Sequence, residues 1–349
     1  MDLGNLYDVT IIGGGPAGLY AAFYSGLRGM KTKLIEFQPQ LGGKLHIYRE
    51  KMIWDVGGHG PITAGKLIDQ LIEQGMTFNP DVYLNEKVTE IRQNEHGQFI
   101  VAAESGNQHL SKTVIVAAGG GILNPQKLEV AGAEEFELAN LNYTVPSLAH
   151  FAGKSVLISG AGNSAIDWAN ELERIAKQVY VVCRRDCLTC HEANADQLLQ
   201  SSATCFFNTS IERLISNEAG SRIQEVELQN KSSRDIFRVP VDEVLVNHGF
   251  DRDASLLENS PLDIEIEEKG IRTNVLGASS VPGLYAAGDV IRHEGKLYLI
   301  AGAFQDAANA VNQAKTFIDP DATQTGMVSS HNERFAERNR EKIKQEFQK

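Results

Sequence analysis

The chain has 349 residues, 42% of them hydrophobic and 22% charged, a soluble globular composition too long for one ordinary core, so two domains are expected. Its net charge of −12 excludes non-specific binding to nucleic acid or to an anionic membrane surface. No apolar run reaches the roughly 18 residues of a membrane span, and four cysteines are too few for a disulfide scaffold, so a cytoplasmic protein with reduced thiols is expected.

The first predicted elements are a strand over residues 9–12, a turn, and a helix. The turn carries Gly13, Gly15 and Gly18 as G-x-G-x-x-G and begins so early that no secretory leader is expected before it. Each glycine has a physical use: a tight turn, backbone approach to a pyrophosphate, and close helix–strand packing. The helix N-terminus adds N–H donors and a favourable dipole for phosphate oxygens. A second strand over residues 33–35 ends at Glu36, 18 residues past Gly18, where a carboxylate can accept from ribose hydroxyls. A bare glycine pattern is weak evidence; with strand, helix and acid in place it predicts a dinucleotide site.

The unit recurs 147 residues later. A strand over residues 155–158 leads into Gly160, Gly162 and Ala165, then a helix to about residue 176 and a strand over residues 179–182. Glu36 lies 23 residues after Gly13; 23 residues after Gly160 stands Cys183, followed by Arg184 and Arg185. The ribose acid is therefore missing and two guanidinium groups follow at once. An acid would repel a 2′-phosphate, whereas guanidinium binds one through charge-assisted bonds. The first loop thus suits FAD and the second NADP(H), with hydride passing from nicotinamide to flavin.

These segments, with others, resemble the flavoprotein pyridine-nucleotide reductases of the thioredoxin-reductase type, and within them the ferredoxin (flavodoxin)–NADP reductases of bacteria. The resemblance runs over residues 7–330. IIGGGPAGLYAAFYSGLRG matches the FAD loop, PQLGGKL a second glycine turn, IYREKMIWDVGG the segment after it, VIVAAGGG an exit strand, GAGNSAIDWA and VVCRRD the NADPH half, and VPGLYAAGDV a late FAD motif. It implies an α/β fold of two Rossmann-like domains of the three-layer ββα type, the NADPH domain inserted into a discontinuous FAD domain. The implied boundaries are 1–118 and 245–330 for the FAD domain, 119–244 for the NADPH domain and 331–349 for a charged, helical tail. Implied FAD contacts are Gly13, Gly15, Pro16, Ala17, Gly18, Glu36, Gln40, Gly43, Leu45, Tyr48, Val88, Gly288, Asp289 and Ser329. Implied NADPH contacts are Gly160, Gly162, Asn163, Ser164, Ala165, Arg184 and Arg185. Tyr48 is expected to stack on one flavin face. On the other, Val328 falls where the family has an aromatic residue and Ser329 aligns with the neighbouring hydroxyl; His331 or Phe335 could substitute if the tail shifts. The implied partner is ferredoxin or flavodoxin and the implied assembly a homodimer.

The cysteines allow three readings. A thioredoxin reductase has its reactive C-x-x-C ahead of the second glycine loop, where this chain has LNYTVPSLAHFAGK and no cysteine. Cys187 and Cys190 form a C-x-x-C in the loop after the arginines, beside the expected 2′-phosphate. With Cys183, His191 and Cys205 they could instead ligate a metal, although Cys183 ends a buried strand, where a small apolar side chain is ordinary. The third reading is structural: Thr189 and Glu192 fit a capping box that opens a helix to about residue 200, with Cys190 in its first turn and its pKa lowered by the dipole. No metal site is expected. The alternatives to a ferredoxin reductase are a disulfide reductase using Cys187 and Cys190, or a reductase of quinone or dioxygen. His46, His59, His248 and His293 show no ligand spacing and are expected to be structural or exposed. Trp54 is expected to pack. Lys44, Arg49 and Lys51 could form a local basic patch for an acidic ferredoxin.

Overall fold

The computed structural model describes residues 6–347 apart from Leu138 and Ala254. In chain order the main elements are β1 (Tyr7–Ile12), α1 (Pro16–Leu27), β2 (Thr32–Ile35), α2 (Ala64–Gly75), β3 (Asp81–Tyr83), β4 (Val88–Gln93), β5 (Phe99–Ala103), β6 (Gln108–Val116), β7 (Leu141–Asn142), β8 (Ser155–Ser159), α3 (Asn163–Leu172), β9 (Gln178–Val182), α4 (Glu192–Leu199), β10 (Thr204–Phe206), β11 (Thr209–Ser216), β12 (Ile223–Asn230), β13 (Ile236–Pro240), β14 (Glu243–Val246), β15 (Leu284–Ala286), α5 (Ile300–Ile318) and α6 (Ala336–Glu346). They divide into two units, one of residues 1–122 and 252–349 and one of residues 123–251.

In the first unit a seven-stranded sheet runs β3-β2-β1-β6-β5-β4, with β15 also paired to β6. Strands β1, β2, β3, β6 and β15 are parallel, while β4 and β5 pair antiparallel with each other and β5 with β6. Every residue of β2 and all but one of β1 are buried, as expected of strands covered on both faces. On one face α1 packs against α2 and α5. That core includes Val9, Ile11, Leu19, Leu34, Leu67 and Val311. The other face is covered through Phe99, Val101, Val114, Ile271 and Ile291.

The second unit holds a parallel sheet in the order β7-β14-β8-β9-β10 and a separate antiparallel sheet β11-β12-β13. Leu157, Val182, Val226, Leu228, Val244 and Val246 share one core between them. Residue 244, where the resemblance put the chain's return, lies inside β14, which pairs with β7 on one side and β8 on the other. The second compact unit runs on to Asp251. The tail is helical as expected, in α6.

Candidate functional site

The first glycine loop is built by contact with its neighbours. Gly15 caps α1, Pro16 follows at its first position with a fixed φ suited to a helix start, and Ala17 and Gly18 are buried beneath. Gly43, at φ +60°, comes so near that a Cβ on it would lie 2.8 Å from the Gly15 Cα. The Gly42 amide donates to the Gly14 carbonyl at 2.8 Å. From the far end of the chain Gly288 approaches Ala17, where a Cβ on Gly288 would lie 3.0 Å from the Ala17 Cβ. Three segments remote in sequence thus meet at the N-terminus of α1. A Cβ on Gly15 itself would meet only the Gly43 Cα, at 3.7 Å. The backbone at Gly15 is thus less crowded than at Gly13 or Gly18.

Glu36 ends β2 beside this loop and is only 7% exposed. Its carboxylate accepts the Gly14 amide at 2.5 Å and the Gln38 amide at 2.7 Å. Burial raises its pKa, against an opposite pull from the amides of Gln38, Gly14 and Phe37. Gln40 is exposed in the loop after β2. Leu45 and Val88 have their side chains in the two hydrophobic cores, so each can offer a ligand mainly its backbone.

Tyr48 packs half-buried against the first core. Burial, with the charges of Asp289 and Asp55, pushes its phenol up to about 12, so it is a neutral ring at any physiological pH. Asp289 pairs with Lys44 at 2.5 Å. The turn that carries it is held by Asp306, which accepts the Gly288 amide at 3.1 Å and the nearly inaccessible Lys296 ammonium at 2.8 Å. Lys44 is therefore committed to Asp289, and Arg49 donates to His46 at 2.9 Å. The expected basic patch is partly spent on internal bonds. Trp54 is 73% exposed, which corrects the expectation that it packs.

The tail expected to cover the second flavin face is held by contacts elsewhere within this chain. Asn332 and Arg334 donate to the Leu27 and Gly26 carbonyls, and Phe335 sits 5.3 Å from Phe78 and 6.3 Å from Phe23, ring to ring. The tail is thereby anchored at the C-terminal end of α1, about 18 Å of helix from its glycine loop. Val328, Ser329 and His331 are exposed. No hydrogen bond or ring contact brings them to Tyr48 among the described residues.

The second loop closes in the same way. A Cβ on Gly160 would stand 2.5 Å from the Asn247 carbonyl and 3.0 Å from the Ala165 Cβ, while one on Gly162 would meet nothing within 4 Å. Gly162 caps α3. A cavity of about 370 Å³ opens here, lined by Gly160, Gly162, Asn163, Ser164, Ala165, Arg184 and Arg185, together with Tyr143, Ser159, Thr189, His248 and Phe250. All seven residues expected on the NADPH side thus line one cavity. His248 was expected to be structural or exposed; its Nε2 lies 2.8 Å from the Ser159 hydroxyl in the cavity wall. His46 bonds the Leu41 carbonyl, His293 the Glu294 carbonyl, and His59 is exposed, as expected.

The loop after the arginines folds back over the glycine turn. Thr189 forms a parallel bridge with Gly162, and its amide and hydroxyl both donate to the Ala161 carbonyl. The His191 amide donates to the Asn163 side chain. The expected capping box is therefore absent: Thr189 is bonded elsewhere, His191 caps α4, and its side chain makes no capping bond. Cys190 precedes the helix, and burial raises its pKa where a dipole effect was expected to lower it. Cys183 is buried at the end of β9 and pushed up to about 12, first by burial and then by the neighbouring Cys205, Cys187 and Cys190. All four thiols are free, and no metal-binding group of His, Cys, Asp or Glu is found among the described residues.

Comparison with known proteins places this geometry. The model of the family described as pyridine nucleotide-disulphide oxidoreductase matches residues 7–314. A Bacillus licheniformis protein named ferredoxin–NADP reductase 1 is 62% identical over 348 residues, covering 99% of this chain and all of that one. An Exiguobacterium sibiricum protein named ferredoxin–NADP reductase 2 is 59% identical, covering 99% of this chain and 98% of that one. Among solved structures, the thioredoxin reductase of Lactococcus lactis superposes with a TM-score of 0.73 at 26% identity, over 89% of this chain and 99% of that one. Two glycine-loop sites on two Rossmann-like units, with a family match across nearly the whole length, make this chain a member of the pyridine nucleotide-disulphide oxidoreductase family, among its ferredoxin–NADP reductases.

Proposed function

We propose that the chain is an FAD-dependent ferredoxin–NADP reductase, with FAD held by the first unit and NADP(H) by the second. The observation that carries this reading is where the thiols lie. A thioredoxin reductase has its reactive pair ahead of the second glycine loop, but residues 141–154 there hold no cysteine, and all four fall within residues 183–205, after that loop. With no thiol pair in that position to receive electrons, they leave for a separate carrier. The names of the relatives, at 62% and 59% identity, support ferredoxin as that carrier.

Bound FAD supplies the chemistry the side chains lack, exchanging electrons in pairs with nicotinamide and singly with the carrier. The residues bind, orient and exclude water. The amides at the start of α1 hold the pyrophosphate, and Glu36, fixed by its two amide bonds, accepts from ribose hydroxyls. Asp289, paired with Lys44, would be the carboxylate that accepts from the ribityl hydroxyls. Tyr48, neutral and half-buried, covers one ring face. Arg184 and Arg185 take the 2′-phosphate. No general acid or base is required. Flavodoxin as a second carrier, a homodimeric assembly and a cytoplasmic location belong to the same reading. The four free thiols are in keeping with a reducing compartment.

The test is NADPH-driven cytochrome c reduction by the holoprotein, with and without ferredoxin or flavodoxin. Reduction that depends on the added carrier is expected. Flavin bleached by NADPH but indifferent to every carrier, with quinone or dioxygen sustaining turnover instead, would overturn the choice of acceptor.

A further inference from the structure

In the second unit β8 lies between β14 and β9, so the glycine loop leaving β8 has a neighbour on each side. On the β9 side stand Arg184 and Arg185. On the β14 side stands His248, two residues past the end of the strand, in the same cavity wall as Tyr143 and Phe250. The imidazole is seated on Ser159, the last residue of β8, at 2.8 Å. Burial and the nearby Arg184 charge hold it below the usual histidine pKa, so at neutral pH it is an uncharged ring with hydrogen-bonding nitrogens.

A dinucleotide on a doubly wound sheet lies across the strand ends. Its pyrophosphate sits at the helix N-terminus, its adenosine ribose at the end of the strand following that helix, and its other half on the far side of the crevice where strand order reverses. Here β8, α3 and β9 are the first mononucleotide unit, and its arginines take the adenosine end. The end of β14 is left for the nicotinamide half. We infer that His248 binds the nicotinamide mononucleotide half of the coenzyme, hydrogen-bonding its ribose through Nδ1, with Ser159 holding the ring in place through Nε2. The inference rests on the proposed NADP(H) site and adds a contact that no glycine or arginine motif contains.

Two ligands separate the halves: NADP⁺, and 2′,5′-ADP, which has only the adenosine end. Titration calorimetry on holoprotein compares wild type with His248→Ala, His248→Asn and Arg184→Ala, with circular dichroism checking the fold of each. For His248→Ala the Kd of NADP⁺ is expected to rise about five- to tenfold, the worth of one neutral hydrogen bond, while that of 2′,5′-ADP changes less than about twofold. His248→Asn, which keeps a donor, should lose less, and Arg184→Ala should weaken both ligands. An unchanged NADP⁺ affinity in His248→Ala would overturn the inference. So would equal losses for both ligands, which would place its effect on the arginine side. If wild type binds neither ligand, the NADP(H) reading itself falls and takes this contact with it.

Discussion

Gly18 lies against Gly13 so closely that a Cβ on Gly18 would stand 1.8 Å from the Gly13 carbonyl oxygen. The first turn of α1 is thus pressed onto the end of β1, with no room for a single methyl group. Gly18→Ala must push the helix start away from the strand and with it the amides that face the pyrophosphate. A loss of about 1–3 kcal/mol is expected. Denaturant melts and retained FAD absorbance should fall together; a stable variant that keeps full flavin would contradict the packing account.

Arg184 and Arg185 stand exposed in the lining of the second unit's cavity, where an acid would otherwise meet a ribose. Replacing both by alanine removes charge-assisted bonds worth about 1.5–3 kcal/mol each. The KM for NADPH should rise at least about tenfold relative to that for NADH. Steady-state kinetics with both coenzymes would show it, and an unchanged ratio would sink the assignment.

Glu243 has no exposed side-chain surface, yet it is charged. Burial alone would raise its pKa, but bonds from Lys154, His150 and Asn142 outweigh it and leave the pKa below the ordinary 4.5. The folded value is depressed, so the stability it contributes is present above about pH 4.5 and is lost as pH falls through the lowered value. Acid unfolding of the second unit should therefore begin below about pH 4.5. Glu243→Gln should cost about 1–3 kcal/mol at pH 7 and flatten that acid limb. Thermal melts from pH 3 to 7 would decide.

Cys187 and Cys190 are the residues a disulfide reductase would need. Replacing both by serine should leave ferredoxin-dependent turnover within about twofold, since no carrier step passes through them. Abolished turnover would revive the disulfide-reductase reading.

The two glycine loops were legible in the sequence because what they require is local. A strand end, a helix start and an acid or arginine at a set distance are all properties of short segments. His248 was not legible. It reaches the cavity through β14, more than eighty residues after Gly160, and only the pairing of β14 with β8 sets it beside Ser159. A strand pattern at residues 243–246 followed two residues later by a histidine was the available signal. Thr189 misled for the opposite reason. Its spacing to Glu192 suits a cap, but the Ala161 carbonyl is a nearer acceptor once the loop folds back. Phe335 decides the tail through contacts with Phe23 and Phe78, which no local pattern shows.

Strand β15 has a consequence for biosynthesis. It pairs with residues 114–116 of β6, but emerges from the ribosome only after the whole second unit has been made. The nascent first unit must wait through that interval with part of an apolar strand edge unpaired, the condition under which sheets join wrongly to other chains. The second unit, continuous in sequence and with its own core, can fold during the same interval. A ribosome stalled once residue 251 has left its exit tunnel, but before residue 284 has, would therefore display one finished nucleotide-binding unit and one unfinished sheet.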